Sequence, residues 1–399
     1  MFGARKRRIP YALVGIFVGA VILQEFTEPH AEPLFLFHKC KGGMKVCNRE
    51  TTVHGNDAVE DFTKKISWEQ SRHKFSDIDL SNSSVPLPCC LVGFELNTSA
   101  TIQYYDFLTH TPLNNMVRPY FDAALEFLGD VVAEHKQAAI KRVVWAMSDD
   151  GSLAPDALRH LDESGFVTLS HSVRRDLRWQ VVLVPNFHYI QTRGFAQKMR
   201  DLSLHRKEFK DKRKVVFWRG VSTGTSASGV QSDRCFRLPR VMVVQASKDV
   251  PWLDFALTRA VQDCVGHEPL LQSLGLFGSQ VAEKDWLNYR GILEIDGNVD
   301  SWGNYWRAAS QSVLFKVSSE YVGYFTVNMV NGVHFVDVAA DLSDLVAKTQ
   351  MVTSDDPVSV AEMSRISRNS FKYITNDNFT YDSVVQHVAA KLFSLEKRD

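Results

Sequence analysis

The chain has 399 residues, 45% hydrophobic and 23% charged, with 46 Lys+Arg against 46 Asp+Glu. This composition excludes a disordered or fibrous chain and leaves room for two domains, each with its own core. The balanced charge supplies no global field to draw in a polyanion, which argues against a nucleic-acid partner.

From the N-terminus, Arg5, Lys6, Arg7 and Arg8 precede an apolar run over residues 9–23. Basic residues ahead of such a run keep the N-terminus in the cytosol and send the rest of the chain across the membrane. The run is shorter than the roughly 20 residues of a full span. It reads as a cleaved signal peptide, with Val18-Gly19-Ala20 as the small-residue site, or as an uncleaved signal anchor. Apolar residues continuing to Leu23 favour the anchor. The expectation is a type II protein of the Golgi or endoplasmic reticulum membrane with a lumenal catalytic part, and a secreted protein if the segment is cleaved. The terminal Glu396-Lys397-Arg398-Asp399 is no lumenal retrieval signal, which favours the Golgi. Asn82, Asn97 and Asn378 begin N-glycosylation sequons. Cys40, Cys47, Cys89, Cys90, Cys235 and Cys264 form an even set without a zinc-type spacing. They read as disulfides or buried thiols, with Cys40 and Cys47 a plausible local pair.

Residues 26–100 read as an irregular stem behind an anchor segment at 1–25. Within the stem, Asp77-Ile78-Asp79 lies in a turn-rich stretch and reads as a solvated loop. Residues 101–205 read as a first βαβ-type domain. Phe121, Leu125, Leu128 and Val132 recur at helical spacing, and a strand over 142–147 ends in Ser148-Asp149-Asp150-Gly151. A helix over 155–163 comes next, then strands over 166–169 and 179–184. The basic run at 205–214 reads as a solvated linker.

A second domain spans 206–375. It opens with a strand over 215–218, and short apolar strands succeed it over 291–295, 312–317 and 333–338. Helical patterns alternate with them, one carrying Arg307 and one starting at Glu320. That alternation predicts a parallel sheet. Asp356-Pro357 reads as cap and first residue of a helix. A last helix, over 381–395, occupies the closing segment 376–399.

Ligands of parallel α/β sheets bind beyond the carboxyl ends of the strands. At one such end Arg219 and Gly220 lead into Val221-Ser222-Thr223-Gly224-Thr225-Ser226. Small residues there let backbone N–H groups approach an anion, and Arg219 can fork onto two phosphate oxygens. The stretch has neither a Walker loop nor GxGxxG, so a plain glycine-rich turn fits it equally. Asp296 and Arg307 lie near a second strand end. Two guanidinium groups would neutralise a leaving diphosphate without a metal, although a surface ion pair suits Arg307 as well. Asp149 and Asp150 end a strand of the other domain. Either can serve as a general base, and Asp-Asp-Gly-Ser is also good turn chemistry. Glu320 can bind ribose hydroxyls or cap a helix start.

Taken together, Phe217-Trp218-Arg219-Gly220, Leu293-Glu294-Ile295-Asp296-Gly297, Ser312-Val313-Leu314-Phe315-Lys316, His334-Phe335-Val336-Asp337-Val338 and Asp341-Leu342-Ser343-Asp344-Leu345 resemble glycosyltransferase family 90 in order and spacing over about residues 140–375. That group comprises capsule-associated, lipopolysaccharide-modifying and protein O-glucosyltransferases. The resemblance implies a GT-B fold, two Rossmann-like domains facing a cleft, with the final helix crossing back to the first. It implies an inverting, metal-independent transfer of glucose or xylose from a UDP-sugar to a protein or glycan hydroxyl, with no cofactor. Arg219 and Arg307 match the arginines of the donor diphosphate, and Asp149 best matches the base, with Asp150 beside it. Phe335 and Asp337 depart from the family's usual Tyr and Pro. The alternatives are a non-catalytic lumenal glycan-binding protein on this fold, or a glycoside hydrolase, which would need two carboxylates facing each other.

Overall fold

The computed structural model describes residues 91–96, 102–106, 118–134, 141–147, 153–224 and 234–394. All of them belong to one compact unit, Val46–Asp399. The architecture is mixed α/β with two five-stranded sheets.

The first sheet contains β1 (Leu91–Leu96), β2 (Ile102–Asp106), β3 (Lys141–Ala146) and β4 (Phe166–Ser170). Two further short strands come after these, β5 (Ser172–Arg174) and β6 (Val182–Leu183). The sheet's order is β2-β1-β3-β4-β6. β3, β4 and β6 are parallel, whereas β1 is antiparallel to both of its neighbours. β1 lies in the stretch expected to be irregular. Gly93 interrupts its apolar pattern, but Phe94 and Leu96 are fully buried. The strand expected over 179–184 shrinks to two residues, because Trp179 is 81% exposed and the chain turns there.

The second sheet contains β7 (Arg213–Val221), β8 (Leu253–Arg259), β9 (Tyr289–Glu294) and β10 (Val313–Val317). After the short β11 (Tyr321–Gly323) it is completed by β12 (Val336–Val338). Its order is β8-β7-β9-β10-β12 and every pairing is parallel, as the alternation predicts. β9 and β10 are buried at every position, as expected for central parallel strands covered on both faces. β7 runs on through Arg219, Gly220 and Val221, so the turn begins later than the sequence pattern places it.

No helix starts at Glu320. The chain there forms β11, which pairs antiparallel with β5. This two-stranded ribbon joins a strand that comes after β4 of the first sheet to one that comes after β10 of the second. The helix Pro357–Ile374 starts as expected, with the Asp356 carboxylate accepting from Ser359 N at 2.8 Å and Pro357 in the first turn. The last helix, Tyr381–Ser394, buries Val384, Val385, Val388 and Leu392. It packs on the helix Arg118–Glu134 beside the first sheet, where Tyr381 Oη donates to Asp130 at 2.8 Å.

The basic run is not simply solvated. Phe209 and Lys212 are buried, and Lys212 Nζ donates to Ser310 O and Ser312 Oγ, both at 2.9 Å. Cys235 and Cys264 form a disulfide. Among the described residues no helix is long and apolar enough to cross a membrane. The expected anchor at 9–23, the Cys40–Cys47 pair and the sequons at Asn82 and Asn97 lie outside the described residues. Asn378 is exposed.

Candidate functional site

Numbered by sequence within the second sheet, the strand order is 2-1-3-4-5. In that order the chain reverses direction between the first and third strands, here β7 and β9, and ligands bind beyond their carboxyl ends. A cleft of about 250 Å³ opens there, lined by Thr223, Arg240, Gly297, Asp300, Trp302 and Arg307 among others. A larger hollow of about 460 Å³ lies at the amino end of β8, beside Lys248, Asp249 and Leu253. The topology favours the smaller cleft as the site.

Arg240 lines the cleft. It stands in the first turn of the helix Pro239–Ala246 that returns the chain from β7 to β8. Its guanidinium donates to Thr223 Oγ1 at 2.6 Å, Val221 O at 3.2 Å and Ile295 O at 3.3 Å, and its Nε to Asp296 O at 2.9 Å. One side chain thus ties the ends of β7 and β9 together. Gly297 makes this possible, since a Cβ there would stand 2.9 Å from Thr223 Oγ1. Sequence reasoning missed Arg240. A detectable signal was Leu238-Pro239, which marks a helix start after the first strand of a parallel sheet, where anions commonly sit.

Arg307 also lines the cleft, from the short helix Asn304–Ala308. Its Nη1 donates to Glu294 Oε2 at 2.9 Å and Ser301 Oγ at 2.8 Å. Glu294 is fully buried. Below them Lys316 lies 3.5 Å from Asp296 and 3.3 Å from Asp300. Asp300 also accepts from Asn304 Nδ2 at 2.5 Å and Thr326 Oγ1 at 3.1 Å. Burial pushes the Asp300 carboxyl up to about 7, opposed by Lys316 and reinforced by Asp296 and Glu294. The direction has a simple cause: three carboxylates crowd around two cations in a dry site. Lys316 is held above its ordinary value by Asp296 and Asp300, which outweigh its burial.

Buried polar atoms without a hydrogen-bond partner gather at this place. They include Glu294 Oε1, both carboxylate oxygens of Asp296, Arg307 Nε and Asn304 Oδ1. Such groups are few in native proteins and call for water, an ion or a ligand to complete them.

The remaining expected site residues fall elsewhere. Arg219 Nη2 donates to Asp254 Oδ1 at 2.6 Å and its Nη1 to Asp254 O at 2.9 Å, and the guanidinium lies over the Phe217 ring. It is a strut between β7 and β8, outside the cleft lining. Gly220 admits the Trp218 indole, which would stand 2.5 Å from a Cβ. Ser222 is buried, donating to Val261 O at 2.9 Å and accepting from Val261 N at 2.8 Å. Glu320 is exposed, 4.0 Å from Arg174, and away from the cleft. The structure therefore brings together Thr223, Asp296 and Arg307, and sets Arg219, Gly220, Ser222 and Glu320 apart from them. Asp149 and Asp150 lie outside the described residues.

Two arginines thus line a cleft at the switch point of a parallel α/β sheet, the place where such sheets bind ligands. No protein-family model matches the chain. It is similar to protein O-glucosyltransferase 2 of Danio rerio, 29% identical over 143 residues, which cover 35% of this chain and 25% of that protein. The chain thus spans about a quarter of the length of the relative it matches. This partial similarity supports a glycosyltransferase-like relationship.

Proposed function

We propose that the protein is an inverting, metal-independent glycosyltransferase of family 90 type, moving glucose or xylose from a UDP-sugar to a hydroxyl of a protein or glycan acceptor. The observation that carries this is the switch-point cleft, which Arg240, Thr223 and Arg307 line beside unmet polar atoms. The donor diphosphate is assigned to Arg240 and Arg307, whose charges stabilise the departing nucleotide. Arg219 serves as the strut that fixes β7, the strand leading to Thr223. Asp149, or Asp150 beside it, takes the proton of the acceptor hydroxyl as that oxygen attacks the anomeric carbon opposite the phosphate. A single displacement inverts the configuration, and the proton leaves with the base. No step calls for a cofactor.

The two sheets, with a cleft beyond the carboxyl ends of the second sheet's strands, support a GT-B arrangement of two Rossmann-like domains. The Cys235–Cys264 disulfide supports a lumenal location, since such bonds persist in oxidising compartments. The basic and apolar N-terminal segment supports attachment to the Golgi or endoplasmic reticulum membrane. The testing experiment incubates the full-length protein with a panel of UDP-sugars, with and without EDTA, and measures release of UDP. Turnover of UDP-glucose or UDP-xylose that survives EDTA is the expected result. No UDP-sugar binding or turnover, or strict dependence on a divalent metal, would refute the reading.

A further inference from the structure

Trp302 lies in the loop between β9 and the helix Asn304–Ala308 and lines the cleft next to Ser301 and Gly303. Its indole is packed by rings from the first sheet's side of the molecule: Tyr120 at 5.4 Å, His171 at 5.6 Å, Phe187 at 6.4 Å and His188 at 4.8 Å between centroids, all steeply inclined to it. Edge-to-face pairs of this kind contribute beyond simple burial and fix ring orientation. The loop itself is held at two more points. Asn186 Nδ2 donates to Trp302 O at 3.4 Å, and Asp300 N donates to Ser172 Oγ at 3.3 Å. Trp302 is therefore rigid, and it is the cleft-lining side chain that reaches across to the elements of the first sheet.

The ring is half-buried, yet its Nε1 is fully buried and without an acceptor. The N–H edge thus points into protein, so the surface the indole can offer a ligand in the cleft is carbon. Flat apolar carbon beside charged groups suits a ligand that is anionic at one end and carries C–H surface at the other. A pyranose joined to a diphosphate is such a ligand.

We propose that Trp302 is the platform for the donor's sugar ring, with the C–H face of the sugar stacked on the indole while Arg240 and Arg307 hold the diphosphate. This rests on the reading of the cleft as a UDP-sugar site. It also determines specificity, because a stacked platform favours sugars whose axial hydroxyls do not interrupt the apolar face.

Calorimetric titration of the full-length protein with UDP, UDP-glucose and UDP-xylose tests it. Trp302→Ala should weaken UDP-sugar binding about tenfold, equivalent to about 1.4 kcal/mol, and leave UDP binding within about twofold. Trp302→Phe, which keeps an aromatic face, should recover most of the loss. An equal loss for UDP and UDP-sugar, or no loss for either, overturns the platform. If UDP itself fails to bind the wild type, the donor reading falls and the platform with it. Saturation-transfer NMR on the wild type needs no variant: irradiating aromatic protons must saturate the sugar-ring protons of bound UDP-sugar, and their silence overturns the proposal.

Discussion

The Arg240 guanidinium meets Thr223 Oγ1 at 2.6 Å, at the point where the ends of β7 and β9 diverge. A helix's first turn, a strand's end and the turn after a neighbouring strand thereby converge on one charge. Arg240→Ala is expected to remove about 2–4 kcal/mol of transition-state stabilisation, as the loss of one preorganised oxyanion donor does. Its affinity for UDP should fall at least about tenfold. Arg240→Lys keeps the charge without the fork and should recover only part of it. Unchanged UDP affinity in the alanine variant would remove Arg240 from the site.

Arg219 should behave differently. Its partner Asp254 is half-exposed, so solvent screens the pair and the loss in Arg219→Ala is set at about 1–2 kcal/mol of stability. Urea unfolding should show a lower midpoint at unchanged slope. UDP affinity of the folded variant should stay within about twofold. A loss of UDP binding without loss of stability would return Arg219 to the donor site.

The parallel second sheet was legible because short apolar stretches, Ile292-Leu293 within β9 and Val313-Leu314-Phe315 within β10, alternate with helical patterns. The Asp356-Pro357 helix start was legible because capping is local chemistry. Arg240 was not, since Arg234, Arg237 and Arg240 look alike in a sequence. Only the β8-β7-β9 order brings the third of them over Thr223. The reading of Glu320 as a helix start failed for a related reason: β11 exists through β5, a partner about 150 residues earlier. Lys212 was hidden among charged neighbours whose composition describes a solvated face.

Lys212 offers a test by pH. Burial, aided by Arg206 and Lys207, lowers its amine to about 7 from an ordinary 10.5. Between those values the unfolded chain holds more protons than the native one, so this group makes stability rise with pH across that window. Below about pH 7 the cost of burying the charged amine is fully present. Lys212→Met should flatten the rise in urea midpoint between about pH 7 and about pH 10. Persistence of the rise in the variant would assign it to another group.

Asp300 gives the opposite sign within the cleft. Its carboxyl is raised from 3.8 to about 7, first by burial and then by Asp296 and Glu294, against Lys316. Between these values the native state holds the extra proton, so stability declines as pH rises through the window. The contribution is complete below the unfolded value and is lost above the folded one. Asp300→Asn removes the titration while its amide oxygen can still accept from Asn304 and Thr326. The fall in unfolding midpoint from about pH 4 to about pH 7 should therefore be shallower in the variant. Asp296, Glu294 and Lys316 all face this carboxyl, so a slope that persists in Asp300→Asn and vanishes in Asp296→Asn would move the proton to Asp296.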